Sequence, residues 1–187
     1  MSTNLGMPRV GRKRELKFAT EKYWRQQISA SELLSSATDV VEDIYNQQVI
    51  AGIDLIPVND FSFYDRVLDL CCLLGITPKR FQKNVQSLYL DEYFRLARGD
   101  GDIAAMEMTK WFDTNYHYLV PEVEATSNPA FSDQLFAQQI LPELDAEKQK
   151  FCLIGPVTFL ALAKGADSVD KYFIQEKLSK AYLDLLK

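Results

Sequence analysis

The amino-acid sequence predicts an α/β fold with parallel strands, on three observations. Short apolar runs alternate with amphipathic helical stretches, turn residues stand at the joints, and the run Ile53 to Val58 is almost continuously apolar, as in a parallel strand covered on both faces. At 187 residues, 47% hydrophobic and 25% charged, the chain is long enough for one domain with a substantial core.

In chain order, a brief first strand is expected at Leu5 to Val10, ended by Gly11, followed by a helix from about Lys13 to Gln26. Ser29 and Glu32 form a capping box for a second helix, which puts Leu33, Ala37, Val40 or Val41, and Ile44 on one face and ends at Gly52. Strand two is Ile53 to Val58, closed by Pro57 and Asn59. Ser62, with Asp65 three residues on, opens a third helix whose buried face is VLDLCCLLG, and Gly75 and Pro78 stop it. A helix at about Leu88 to Ala97 precedes the loop RGDGD, Arg98 to Asp102. The run EMTKWFDTNYHYLVPE, Glu107 to Glu122, supplies strand three, at either Glu107 to Phe112 or Tyr116 to Val120. A helix at Phe131 to Leu144, bent near Pro142, strand four at Phe151 to Ile154 and a last helix at about Ser168 to Leu186 complete the pattern.

Four βα units in this order imply a parallel sheet with right-handed crossovers, and polar residues fall just after strands one, two and four, where a (β/α)8 barrel keeps its functional edge. A closed barrel of this kind takes about 250 residues. The expectation is therefore a partial TIM barrel of about four βα units.

Composition narrows the function. No window approaches the roughly 20 apolar residues of a membrane span and no signal-peptide core is present, which reads as a cytoplasmic protein without a membrane partner. Net charge is −5, unevenly spread: residues 1–25 carry seven basic and two acidic side chains, net +5, leaving −10 on the remainder. A cationic patch on an acidic chain suits a small anionic ligand better than nucleic acid, whose phosphates the acidic remainder would repel; a solvated helix face is the alternative. Cys71, Cys72 and Cys152 read as core thiols rather than a disulfide framework, and one histidine with no CxxC spacing draws no zinc site.

Three stretches carry candidate chemistry. In LGMPRVGRKRELK, Leu5 to Lys17, the cations Arg12, Lys13, Arg14 and Lys17 open a helix, which opposes the macrodipole unless an anion lies there too. Free N–H groups together with Arg and Lys would hold carboxylates or phosphates. Asn59, Asp60 and Ser62 follow strand two; capping and turn chemistry explain them, and Asp60 with Asp65 as an acid/base pair would need burial that a sequence does not display. In the aromatic run, Lys110 and Asn115 are candidate ligand contacts, with a surface lysine and a turn asparagine as the plainer alternatives, while the lone His117 reads as structural. LIGPVTFLALAK, Leu153 to Lys164, is a strand-end bend with no evident nucleophile.

Together the runs LGMPRVGRKRELK, AGIDLIPVNDFSFYD, EMTKWFDTNYHYLVP and LIGPVTFLALAK resemble, in order and approximate spacing, the N-terminal domain of cobalamin-independent methionine synthase. The resemblance implies a methyltransferase of methionine biosynthesis with two barrel domains, moving a methyl group from 5-methyltetrahydropteroyl-polyglutamate to the thiolate of homocysteine. It places zinc, the homocysteine site and a proton-donating histidine in the C-terminal barrel, and folate-tail binding in part on the N-terminal one. Residues 1–187 are then the first portion of the N-terminal barrel, with the catalytic barrel absent, no catalytic residue, no metal and no cofactor in this segment, and no activity alone. The folate-contacting RELK segment matches Arg14, Glu15, Leu16 and Lys17, and the family's lysine and asparagine in the aromatic run match Lys110 and Asn115. Met7 stands where the family usually has phenylalanine, and the RGDGD loop is shorter than in many members. The rival reading is a stand-alone half-barrel module that binds an anionic metabolite or a partner chain. In either case the exposed edges of an open sheet lead to self-association of the isolated segment.

Overall fold

The computed structural model describes residues 1–81, 90–132, 145–165, 167 and 170–186. In chain order it contains α1 (Glu15–Trp24), α2 (Ala30–Ile50), β1 (Ile56–Val58), α3 (Arg66–Leu73), α4 (Leu90–Arg98), β2 (Met108–Lys110), β3 (His117–Leu119), β4 (Gln149–Phe151), α5 (Pro156–Leu162) and α6 (Lys171–Leu185). The chain divides into two compact units, Met1–Phe63 with Ala137–Leu153, and Tyr64–Phe136 with Ile154–Lys187.

In the first unit, α2 starts at the expected capping box: the Ser29 hydroxyl accepts from the Glu32 N–H, and the Glu32 carboxylate accepts from the Ser29 N–H at 2.8 Å. Leu33, Ala37 and Val40, at successive helical spacings, are buried with Leu16 and Ala19 of α1, and the two helices pack together. A fully buried leucine such as Leu33 contributes about 2 kcal/mol of transfer free energy. β1 pairs in parallel with β4, in the register Ile56↔Gln149, Pro57↔Lys150 and Val58↔Phe151, so strand four lies two residues earlier than its apolar core suggested. Asn59 Nδ2 donates to the Cys152 carbonyl at 2.9 Å and ties the two strand ends together. That is a turn and linking role.

The strand expected at Leu5 to Val10 is not formed. The N-terminus instead makes a single parallel bridge, Thr3↔Leu55, and Leu5 is 98% exposed. Gly6 at φ 104° and Gly11 at φ 81° take the left-handed region, and Pro8 has no N–H, so a continuous ladder is impossible across this stretch. The segment is anchored by side chains. Asn4 Nδ2 donates to Oε1 of the buried Gln48, and Lys150 Nζ donates to the Asn4 carbonyl.

In the second unit, the N-cap of α3 is Asp65, not Ser62: its Oδ2 accepts from the Leu68 N–H at 3.0 Å. Every residue from Val67 to Leu73 is buried, so this helix is surrounded rather than amphipathic. α4 starts within the described residues at Leu90 and runs one residue past the expected end. The aromatic run corrects the parallel pattern. Both candidate positions for strand three are strands, and they pair with each other as an antiparallel hairpin, Met108↔Leu119, Thr109↔Tyr118 and Lys110↔His117. Its loop closes through Trp111 N–H to the Tyr116 carbonyl at 2.7 Å and Thr114 N–H to the Trp111 carbonyl at 3.1 Å. Pro156 occupies the first turn of α5, where its missing N–H costs nothing. Phe159 and Leu162 of α5 and Leu178, Ala181 and Tyr182 of α6 are buried, and these helices pack.

The expected helix at Phe131 to Leu144 lies almost wholly outside the described residues. Among the described residues the architecture is a mixed α/β one with one parallel strand pair, one antiparallel pair and isolated parallel bridges at Thr3↔Leu55 and Glu122↔Lys164. No helix among them is long and apolar enough to cross a membrane.

Candidate functional site

The six residues singled out fall in both units: Arg14 to Lys17 in the first, Lys110 and Asn115 in the second. At the start of α1, Arg14 is the residue before the helix, held in the left-handed region at φ 64°, with no side-chain cap. A non-glycine residue there is uncommon and costs on the order of 1 kcal/mol. Its N–H donates to the Gly11 carbonyl at 3.2 Å, and its exposed side chain makes no ion pair among the described residues.

An anion does sit at this helix start, and the chain supplies it. Glu15 Oε2 accepts from the Lys13 N–H at 2.9 Å, and the backbone N–H groups of Glu15 itself and of Lys13 hold its carboxyl below the usual range. Gly11 makes room: a Cβ there would lie 2.2 Å from Glu15 Oε2. Glu15 therefore neutralises the macrodipole locally. Leu16 is 2% exposed and its side chain belongs to the core. Lys17 is exposed, with Nζ 3.7 Å from the Glu21 carboxylate. Two other cations of the patch are occupied: Arg12 pairs with Asp43 of α2 through Nε at 3.1 Å, and Arg9 Nη1 donates to the Ser62 carbonyl at 2.7 Å.

On the hairpin, Lys110 is exposed and makes no ion pair among the described residues. Beside it, Trp111 is the hub of an aromatic cluster, edge-on to Phe112, Tyr116 and Tyr118 with ring centroids 5.6, 6.3 and 5.8 Å away. Phe112, at φ 49°, is 67% exposed at the tip of the loop. Asn115 is exposed in that loop, and its carbonyl lies 3.0 Å from His117 Nδ1. A carbonyl only accepts, so Nδ1 carries the proton and His117 braces the loop.

A buried polar network in the same unit is not evident from the sequence. Asp65, 2% exposed, accepts from the Tyr116 hydroxyl at 2.7 Å through Oδ1 and from the Leu119 N–H at 3.1 Å through Oδ2, besides capping α3. The hydroxyl of Tyr93 donates to Asp69 Oδ1 at 2.6 Å and accepts from the N–H groups of Tyr64 and Asp65. Asp–x–x–x–Asp spacing across a helix start, with tyrosines elsewhere, is the only signal in the sequence, and it is too common to have identified the network.

Among the described residues no group of three or more His, Cys, Asp and Glu side chains could hold a metal. Cys71 and Cys72 are buried, and burial pushes both thiols well above their ordinary range, so neither is a ready thiolate. These donors do not fit a zinc site.

The fold and these groups define a mixed α/β segment that displays exposed basic and aromatic side chains and has no metal cluster among its described residues. A family model described as the cobalamin-independent synthase, N-terminal domain, matches residues 1–187. The chain belongs to that family. It is 46% identical over 190 residues to the 5-methyltetrahydropteroyltriglutamate–homocysteine methyltransferase of Listeria innocua, a match that covers all of this chain and 25% of that protein. It is 48% identical over 185 residues to the protein of the same description from Neisseria meningitidis serogroup B, covering 97% of this chain and 24% of the relative. The chain thus spans about a quarter of the length of these relatives.

Proposed function

We propose that this chain is the N-terminal portion of a barrel domain in a cytoplasmic methyltransferase that moves the methyl group of 5-methyltetrahydropteroyl-polyglutamate to homocysteine, forming methionine. The observation that carries the reading is the match along the whole chain to relatives described as methyltransferases acting on a triglutamylated pterin and homocysteine. The contribution of this segment is to hold the glutamate tail, with Arg14, Lys17, Lys110 and Asn115 as the residues that contact it. A triglutamate presents several carboxylates. Arg14 and Lys110 are exposed cations without an ion pair among the described residues, which supports this role. Glu15 contributes by occupying the helix start and holding the Lys13 N–H, and Leu16 by anchoring α1 in the core.

Thiol attack on the methyl donor requires an available thiolate at neutral pH, the task for which zinc in the C-terminal domain of the complete enzyme is suited. No step through a metal is assigned to residues 1–187, and the isolated chain is expected to be inactive. Homocysteine methylation by this chain alone would overturn that assignment.

The test of the tail reading is the ratio of affinities for triglutamyl and monoglutamyl 5-methyltetrahydrofolate, measured by calorimetry or thermal shift. The triglutamyl form is expected to bind more tightly. Lys110→Ala and Lys17→Ala should each lower the ratio about three- to fivefold, the scale of one exposed charge pair. Equal binding of both folates, unmoved by either substitution, would remove the tail role. Exposed apolar side chains at Ile50, Val157 and Leu186 support self-association of the isolated segment, and sedimentation as a compact monomer at high concentration would contradict it.

A further inference from the structure

The hairpin that carries Lys110 and Asn115 has only three paired residues on each strand. A two-stranded ribbon that short does not hold its geometry in water unaided. Its loop also contains Phe112 at positive φ, so the loop conformation must be imposed from outside the ladder. The loop has bonds of its own, from the Thr114 hydroxyl to the Trp111 carbonyl and between His117 Nδ1 and the Asn115 carbonyl, and two contacts that tie the hairpin to α3 converge on one carboxylate. Asp65 Oδ1 accepts from the hydroxyl of Tyr116, the last loop residue, and Oδ2 accepts from the N–H of Leu119 on β3. The same Oδ2 caps α3 through the Leu68 N–H, and α3 is buried along its length.

We infer that Asp65 is a positioning residue for the glutamate-tail site: it locks the hairpin to the start of α3, and so sets the direction in which Lys110 and Asn115 face the ligand. The inference rests on the tail-binding reading above. Its chemistry is that of a carboxylate with two oxygens meeting three donors at once, two of them on the hairpin. Hydrogen bonds to an ionised acceptor are the stronger kind, and they are directional. The Tyr116 ring packs edge-on to Trp111, which neighbours Lys110, so losing the anchor on Tyr116 would loosen the lysine's immediate support.

Two substitutions separate the lock from the cap. Tyr116→Phe removes one donor and leaves the ring and the α3 cap in place. Asp65→Ser keeps a good N-cap residue but cannot reach either hairpin donor. Each is expected to lower the triglutamyl-to-monoglutamyl affinity ratio about threefold, a share of one charge-assisted hydrogen bond. The loss cannot exceed that of the residues being positioned, so it should vanish in a Lys110→Ala, Asn115→Ala background. Amide exchange at Leu119 should rise about tenfold or more in Asp65→Ser, as its N–H loses its acceptor.

A purely structural Asp65 would lower stability and leave the affinity ratio of the folded protein unchanged. If Lys110→Ala lowers the ratio while Tyr116→Phe leaves it at the parental value, the positioning role is overturned and the tail reading stands. If the parent chain itself does not prefer the triglutamyl folate, both fall together. A Tyr116→Phe effect that persists undiminished without Lys110 and Asn115 would also overturn it, since the route through those residues is then wrong.

Discussion

Tyr93→Phe is expected to destabilise the chain by about 3 kcal/mol, although it deletes a single oxygen and leaves the ring where it is. Tyr93 is completely buried, and its hydroxyl serves three partners: it donates to Asp69 Oδ1 at 2.6 Å and accepts from the N–H groups of Tyr64 at 3.1 Å and Asp65 at 3.3 Å. Removing it takes a short donor from a carboxylate that is 8% exposed and an acceptor from two backbone groups at the entry to α3. Each buried group that loses its partner costs about 1–3 kcal/mol, far more than the net gain of an average hydrogen bond. Tyr116→Phe takes a donor from the buried Asp65 but leaves no backbone N–H without its acceptor, so it should cost about 1 kcal/mol, the low end of that range. Urea unfolding of the two variants against the parent chain measures the contrast. Equal losses would show that the network contributes nothing beyond its individual bonds.

What was legible in the sequence was what local chemistry decides. The capping box at Ser29 and Glu32, the stop at Gly52 and the spacing of Leu33, Ala37 and Val40 specify α2 without reference to the rest of the chain. Strand pairing is different, because period-two apolarity does not say which strand is the partner. The aromatic run shows this. Both halves read as strand, so both were candidates for one position in a parallel sheet, whereas they are the two arms of one hairpin. The loop from Trp111 to Tyr116 lacks the Asn-Gly or Asp-Gly pair that marks a tight hairpin, and its turn depends on Phe112 adopting positive φ, which no propensity would suggest. At Leu5 to Val10 the breaking residues Gly6, Pro8 and Gly11 were present in the sequence, and they outweigh the apolar pattern.

The candidate site was less legible. Misplaced cations at the start of α1 suggested an anionic ligand there, whereas the anion at that helix start is the chain's own Glu15, two residues from Lys13 in the same segment. A side chain folding back onto its own backbone forfeits no translational freedom, so it occupies the helix start at lower entropic cost than a ligand would. Arg14 and Lys110 remain the exposed groups that a sequence reading can nominate. Asp65 could not be given its role in advance, because its three donors are contributed by residues 3, 51 and 54 positions away.

Arg80→Ala carries the second large effect and a defined pH signature. The guanidinium meets Glu122 in a two-point contact at 2.6 and 2.6 Å, donates to the carbonyls of Ala104 and Ala105 at 2.9 and 3.2 Å, and lies 5.1 Å over the Phe81 ring. Glu122 is the more enclosed partner, its side chain 14% exposed against 33% for Arg80. Without Arg80 the nearest cation to it among the described residues is Lys164, at 3.8 Å and already bonded to Glu107 at 2.9 Å. The loss should be about 2–3 kcal/mol, below the 3–5 of a fully buried pair because part of the guanidinium faces water. The Arg80 hydrogen bonds, outweighing burial, hold the Glu122 carboxyl below its ordinary value of 4.5. A folded pKa lowered in this way adds stability that is present above the unfolded value and disappears as pH falls through the folded one. The deficit of Arg80→Ala relative to the parent should therefore be full at pH 7 and shrink below about pH 4.5, as Glu122 takes up its proton. Glu15, Glu32 and Asp54 also have lowered carboxyls, but they are present in both proteins and cancel in the difference. Thermal unfolding of both proteins from pH 7 down to pH 3 measures it, and a deficit that stays constant across that range would show that the Arg80 contribution comes from the two carbonyls rather than from Glu122.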